Sequence, residues 1–188
     1  MKKGKIICLN GVSSAGKTSL SKILQERLSE PYYWLSEDVF AEMTPQKISS
    51  DESVENEALW YQTYINMYHT IKLYSEMGHN VIVDGVLDEN YPLLQMVEIL
   101  NDNPVLFVHV TCPVEELSRR EKSRGDREVG LAKKQLSYLC PQDEIYDVTV
   151  DTHQNTTEAC ADKIINLLDT PDNFQAFKIL WRERARYM

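Results

Sequence analysis

Long apolar runs are missing from this sequence: no stretch approaches the length needed to span a bilayer. The basic start Met1-Lys2-Lys3 leads straight into a short apolar segment and a glycine-rich loop. It lacks the h-region and cleavage site of a secretory signal, and a cytoplasmic location is expected. Paired cysteines are missing too. Cys8, Cys112, Cys140 and Cys160 are scattered, with no C-x-x-C and no adjacent His, which argues against zinc and for buried reduced thiols. Positive charge is scarce: 20 Lys and Arg against 29 Asp and Glu leave a formal net charge of −9. Such a surface suits a polyanion poorly, so nucleic acid is not an expected partner, and with no apolar run of spanning length neither is a membrane. Repeats and low-complexity tracts are also lacking. What remains is 188 residues of ordinary globular composition, 43% hydrophobic and 26% charged, enough for one buried core.

Against that plain background one stretch stands out. Gly11-Val12-Ser13-Ser14-Ala15-Gly16-Lys17-Thr18 fits G-x-x-x-x-G-K-[ST], a loop that wraps nucleotide phosphates. Its flanks fit as well. Lys5–Asn10 is an apolar run of strand length, and Leu20, Ile23, Leu24 and Leu28 recur at helical spacing. In a strand–loop–helix unit the backbone N–H groups of Gly11, Ser13, Ser14, Ala15, Gly16 and Ser19 and their neighbours turn toward phosphate, and the helix N-terminus adds partial positive charge. Lys17 then supplies a point charge for the outer phosphates, and the Thr18 hydroxyl a ligand for Mg²⁺.

Further along, Tyr32–Leu35 reads as a second strand, with Ser36-Glu37-Asp38 after it and a short helix through Val39, Phe40 and Met43. Asp38 therefore sits just past the carboxyl end of a strand, where open parallel sheets bind ligands. Pro45 to Asn56 reads as a surface loop, and a long helix is expected from about Glu57 to Met77, stopped by Gly78. Its aromatic residues, Trp60, Tyr61, Tyr64, Tyr68 and Tyr74, cover more than one core stripe and fit either a core or the lining of a pocket. Asn80–Asp84 is a third strand, nearly all apolar and ending in an acid, the position of a Mg²⁺ partner in a phosphate-loop protein. A helix over Pro92–Leu100 and a fourth strand over Val105–Val110 follow; His109 in that strand reads as a packed residue.

Pro113 is expected at the first position of the next helix, which runs into the densest basic stretch, Arg119 to Arg127. Arg120, Arg124 and Arg127 are spaced four and three apart and share a face of a helical continuation. Interleaved acids allow a solvated surface; the phosphate loop favours a lid at about 119–130 whose arginines clamp phosphate and neutralise charge as it transfers. Leu131–Leu139 reads as helix, Tyr146–Asp151 as a fifth strand near a sheet edge, and Thr156 or Thr157 as the cap of a further helix. The Asp151–Asn155 loop lies where related folds seat the nucleotide base. Residues 1–170 thus form one α/β domain of the small P-loop kinase architecture, a five-stranded parallel sheet with helices on both faces. Residues 171–188 form a helical extension, Phe174 to Met188, whose apolar face suits core packing or a homo-oligomer contact.

Taken with the phosphate loop, Arg124-Gly125-Asp126-Arg127-Glu128-Val129-Gly130-Leu131-Ala132-Lys133-Lys134-Gln135 and Tyr146-Asp147-Val148-Thr149-Val150-Asp151-Thr152 resemble the chloramphenicol phosphotransferase family, in order and spacing, from about Lys5 to Leu168. The resemblance implies ATP-dependent phosphorylation of a small-molecule hydroxyl. It implies that Asp38 is the base that accepts the acceptor proton and that Arg124 and Arg127 belong to the phosphate-covering lid. ATP and Mg²⁺, the metal held by Thr18 and Asp84, are the expected cofactors. Where the family has a second acid after the third-strand Asp, this chain has Gly85, and the aromatic helix and the extension have no counterpart there, so the acceptor is not carried over. A kinase of a sugar acid, nucleoside or polyol fits the same scaffold. Only Lys47 and Lys72 lie between Glu37 and Met77, which favours a neutral, aromatic-compatible acceptor over an anionic one. A nucleotide-dependent switch acting through a partner is the remaining reading.

Overall fold

Strand and helix alternate through the chain. β1 (Ile6–Asn10) leads into α1 (Lys17–Arg27), β2 (Tyr32–Ser36) into α2 (Glu37–Glu42), and the long α3 (Val54–Glu76) precedes β3 (Asn80–Gly85). α4 (Tyr91–Leu100), β4 (Val105–Thr111), α5 (Val114–Arg124) and α6 (Leu131–Gln135) follow, then β5 (Val148–Asp151), α7 (Thr157–Ile165) and α8 (Ala176–Glu183). The structure is a computed structural model that describes residues 2–44, 54–87, 91–124, 129–139 and 146–183.

The five strands form one parallel sheet in the order β2-β3-β1-β4-β5. Central β1 is apolar at almost every position because both of its faces are covered. Ile7 and Leu9 pack with Leu20 and Leu24 of α1 and Ala161 and Ile164 of α7. Ile6 and Cys8 point the other way, into a second core with Met67, Tyr68 and Ile71 of α3, Met96 of α4, and Phe177 and Leu180 of α8. Each such side chain contributes about 1.5–3 kcal/mol on burial, so the two cores hold the helices to both faces. β5 lies at the sheet edge, as its alternation predicts: only Val148 and Val150 are buried.

Some boundaries differ from the sequence expectation, each for a local reason. The helix expected over Leu131–Leu139 stops at Gln135, where Ser137 and Tyr138 switch to three-residue turns on Lys134 and Gln135. Pro113 caps α5 from outside, its carbonyl accepting the Leu117 N–H, and the first helical residue is Val114. The terminal helix starts at Ala176, not Phe174: Asp147 Oδ1 accepts the N–H groups of Gln175 (2.7 Å) and Ala176 (2.9 Å), while Phe174 is extended and buried. Residues 184–188 of that expected helix lie outside the described residues, as do the loop residues 45–53.

Parallel strands bring all five carboxyl ends to one edge. From β1 the chain first builds β2 and β3 on one side, then returns as β4 on the other. The loops after β1 and β4 therefore diverge and leave a crevice at that edge.

Candidate active site

The phosphate loop fills the start of the crevice. A Cβ at Gly11 would meet the Val110 carbonyl oxygen at 2.3 Å, so only glycine lets the chain leave β1 across β4. The loop then turns through Ser14 at φ 62° and Gly16 at φ 99° into α1. Gly16 is the N-cap and offers no side chain to the first helical N–H groups, which leaves them for a ligand. Ser14 Oγ is buried without a hydrogen-bond partner, a hydroxyl that a phosphate oxygen would satisfy. Lys17 folds back over the loop, its Nζ donating to the carbonyls of Gly11 (2.6 Å) and Val12 (3.1 Å).

Across from Lys17, the Thr18 hydroxyl donates to Asp84 Oδ2 at 3.1 Å, and Asp84 is buried at the end of β3. Two hard oxygen donors beside a phosphate loop fit Mg²⁺ in kind. Asp38 lies in the first turn of α2, exposed to the same cleft. That cleft has a volume of about 790 Å³. Ser13, Ser14, Gly16, Lys17, Thr18, Ser19, Asp38, Asp84, Arg120 and Arg124 all line it. Gly11 and Ala15 do not: both are buried and shape the loop from beneath. Arg127 lies outside the described residues. The aromatic excess of α3 divides between two jobs. Met67, Tyr68 and Ile71 are core, whereas Trp60, Tyr61 and Tyr64 line the cleft, as do Ala41, Pro92 and Tyr138.

Arg120, expected in the lid, and several residues without a sequence-assigned role brace this arrangement. Arg120 donates to Ser14 O (3.3 Å), Thr152 Oγ1 (3.0 Å) and Thr152 O (3.1 Å), and Thr152 Oγ1 donates to Ala15 O at 2.7 Å. Thr152 at the end of β5 thereby ties α5 to the outside of the phosphate loop. Glu116 accepts from Arg119 Nε (2.7 Å) and Arg120 Nε (2.9 Å), and these guanidinium groups hold its carboxyl down to about 2. Gln135 Oε1 accepts the Ser13 N–H at 2.6 Å, so α6 touches the loop as well. Asn10, fully buried at the root of the loop, accepts the Leu87 N–H and donates to Leu87 O and Tyr146 Oη. Tyr146 stacks on His109, which is a packed residue as its strand position predicts. Gln135 and Thr152 belong to the two segments that carry the family resemblance, and that was the one signal available for them.

Glu37 is the acid that sequence reasoning passed over in favour of its neighbour. Val86 N–H donates to its Oε2 at 2.8 Å, and burial pushes its carboxyl up to about 7, with Lys17 acting in the opposite sense. Burial also pushes the Cys8 thiol up, in keeping with an inert core thiol.

A parallel sheet with a phosphate loop at its carboxyl edge defines the P-loop fold, and solved structures agree on it. The Mycobacterium tuberculosis APS kinase CysC in complex with AMPPNP and APS superposes with a TM-score of 0.69 at 17% identity, covering 90% of this chain and all of that one. Shikimate kinase from Acinetobacter baumannii in complex with shikimate gives 0.63 at 18% identity, covering 89% and 94%. Within that class the family is specific: residues 4–169 match the chloramphenicol phosphotransferase-like proteins, and the chain belongs to that family. Two Mycobacterium tuberculosis proteins, from strains CDC 1551 and H37Rv, carry the name "putative O-phosphotransferase". They are 31% identical over 173 residues, covering 81% of this chain and 76% of theirs. The protein is therefore a phosphotransferase of the P-loop kinase type.

Proposed function

We propose that the protein transfers the γ-phosphoryl group of ATP to a hydroxyl of a neutral, aromatic-compatible small molecule. The observation that carries this reading is the shared cleft: Asp38 lines the same space as Lys17, Thr18 and Asp84, and so do the aromatic residues Trp60, Tyr61 and Tyr64. A protein that only bound or hydrolysed nucleotide would have no use for an acid and an aromatic wall there. Thr18 and Asp84 would hold Mg²⁺, which would supply positive charge against that of the phosphates. Lys17 and the first-turn N–H groups of α1 orient the outer phosphates, and Arg120 braces Ser14 and Thr152 beside them. The acceptor hydroxyl lies between Asp38 and the Trp60–Tyr64 wall. Its proton passes to Asp38 as its oxygen bonds the γ-phosphorus. The bond to the β–γ bridging oxygen breaks, and ADP leaves with that electron pair. Arg124 and Arg127 stabilise the negative charge that spreads over the transferring group.

Acceptor-dependent ADP release, screened over a panel of metabolites and antibiotics, tests the reading. Lys17→Ala should weaken nucleotide binding and turnover together. Asp38→Asn should leave ATP binding nearly intact and lower kcat about a hundredfold or more. Full transfer by Asp38→Asn would remove Asp38 as the base, and ADP release indifferent to every acceptor would favour the switch.

A further inference from the structure

Glu37 occupies a position that the phosphate chemistry does not use. The parallel register pairs Ser36 with Asp84, so residue 37 lies level with Gly85 at the carboxyl edge. Its carboxyl lies against Gly85: a Cβ there would make ordinary van der Waals contact, 3.4 Å from Oε2 and 3.6 Å from Oε1. The Val86 N–H fixes Oε2 at 2.8 Å. Oε1 makes no hydrogen bond among the described residues. The residue is half-buried and lines the cleft, whose walls also include Asp38, Trp60 and Tyr64. A carboxyl held rigidly by one oxygen, with the other unsatisfied at the wall of a ligand cleft, is built to receive a donor.

Two other assignments fit less well. Among the described residues no group of three or more His, Cys, Asp or Glu could hold a metal ion, so Glu37 does not join Asp38 and Asp84 in one metal cluster. Nor is it placed as the base, because one of its oxygens is engaged by the backbone of the turn after β3, whereas Asp38 is exposed to the cleft.

We propose that Glu37 selects the acceptor: its Oε1 receives a hydrogen bond from a second donor group, a hydroxyl or a protonated amine, carried next to the hydroxyl that is phosphorylated. Vicinal diols and amino alcohols on an aromatic or apolar frame are the acceptor class this defines. The inference rests on the reading of the cleft as a hydroxyl-phosphorylating site. The raised affinity of Glu37 for its proton agrees with it, since burial leaves the carboxylate short of partners that a bound donor restores.

Three probes with the same primary hydroxyl separate the contributions: 2-phenylethanol, 1-phenyl-1,2-ethanediol and 2-phenylglycinol. Their affinities for the protein loaded with ADP and Mg²⁺ can be read by saturation-transfer NMR, alongside Mn²⁺ affinity of the ADP complex by electron paramagnetic resonance. On the wild type the diol and the amino alcohol should bind roughly tenfold or more tightly than the mono-alcohol, the range expected for a hydrogen bond to a charged group. Glu37→Gln, which keeps the shape, should lose the preference for the amine and retain part of that for the diol. Glu37→Ala should lose both, with the mono-alcohol and Mn²⁺ affinities unchanged. Equal affinity of the three probes for the wild type, including no binding by any, overturns the proposal. So does a preference that survives Glu37→Ala, or a tenfold loss of Mn²⁺ affinity in Glu37→Gln. Selective diol binding without acceptor-dependent ADP release would sink the kinase reading and leave this one standing. Equal kcat/KM for mono-alcohol and diol would do the reverse.

Discussion

Replacing Glu121 by Ala tests how firmly the arginine-bearing helix is coupled to the phosphate loop. Glu121 is 1% exposed on α5, and its two oxygens each accept a backbone N–H, Gly130 at 2.8 Å and Ala132 at 2.7 Å. These are N–H groups at the start of α6, a five-residue helix whose N-cap, Gly130, has no side chain to offer. Glu121→Ala strands both. A buried, unsatisfied N–H costs about 1–3 kcal/mol, so the pair costs roughly 2–6 kcal/mol, nearer the lower end because the Gly130 N–H is only part-buried. In a chain of this size each kcal/mol moves Tm by about 2–4 °C, so a fall of roughly 5–15 °C is expected by thermal denaturation. Glu121→Gln keeps one acceptor oxygen but turns an NH₂ toward the other N–H, and should fall between wild type and Ala. Because α6 ends at Gln135, whose Oε1 holds the Ser13 N–H, loosening it should also raise KM for ATP several-fold. A Tm within about 2 °C of wild type, with KM unchanged, would refute the coupling.

Two further outcomes follow from the same geometry. Glu37 ordinarily titrates near 4.5 and in the folded protein near 7, so folding favours its protonated form. Its contribution to stability is complete below about 4.5 and is lost as pH rises through about 7; wild type should therefore lose stability relative to Glu37→Gln between pH 4.5 and 7. The loss is at most about 3 kcal/mol, and smaller because the group borders an open cleft. Urea denaturation at pH 5 and pH 8 measures it, and parallel pH dependences of the two proteins would contradict it. At Gly11, an Ala Cβ would meet the Val110 carbonyl at 2.3 Å, and backbone on both sides leaves little room to yield. Gly11→Ala should lower stability by about 2 kcal/mol or more and weaken ATP binding by more than tenfold; calorimetric titration of ATP at wild-type affinity would show that the loop can shift freely.

The residue order carried the phosphate loop, the five strands and the family, because each is a local property. Glycine and lysine at fixed spacing shape a loop, and an apolar run without alternation marks a strand buried on both faces. It also pointed to Asp84 and Asp38 as acids at or just past the carboxyl ends of strands, and both line the cleft. Helix ends were less legible: Asp147 starts α8 from across the fold, and no local pattern around Phe174 announces that.

What the tertiary structure alone decided is which residues meet. Gln135 and Ser13 are 122 positions apart, Arg120 and Ser14 106, and Glu37 and Val86 49. Each pair is joined by crossovers of a parallel sheet and by strand register, which are set by two packed cores rather than by the spacing of the residues themselves. The sequence by itself determined that the chain handles nucleotide phosphates, because a phosphate loop closes on its own backbone. The choice between Glu37 and Asp38 as partners of the turn after β3, and hence the lining of the acceptor end, waited on the register of β2 against β3.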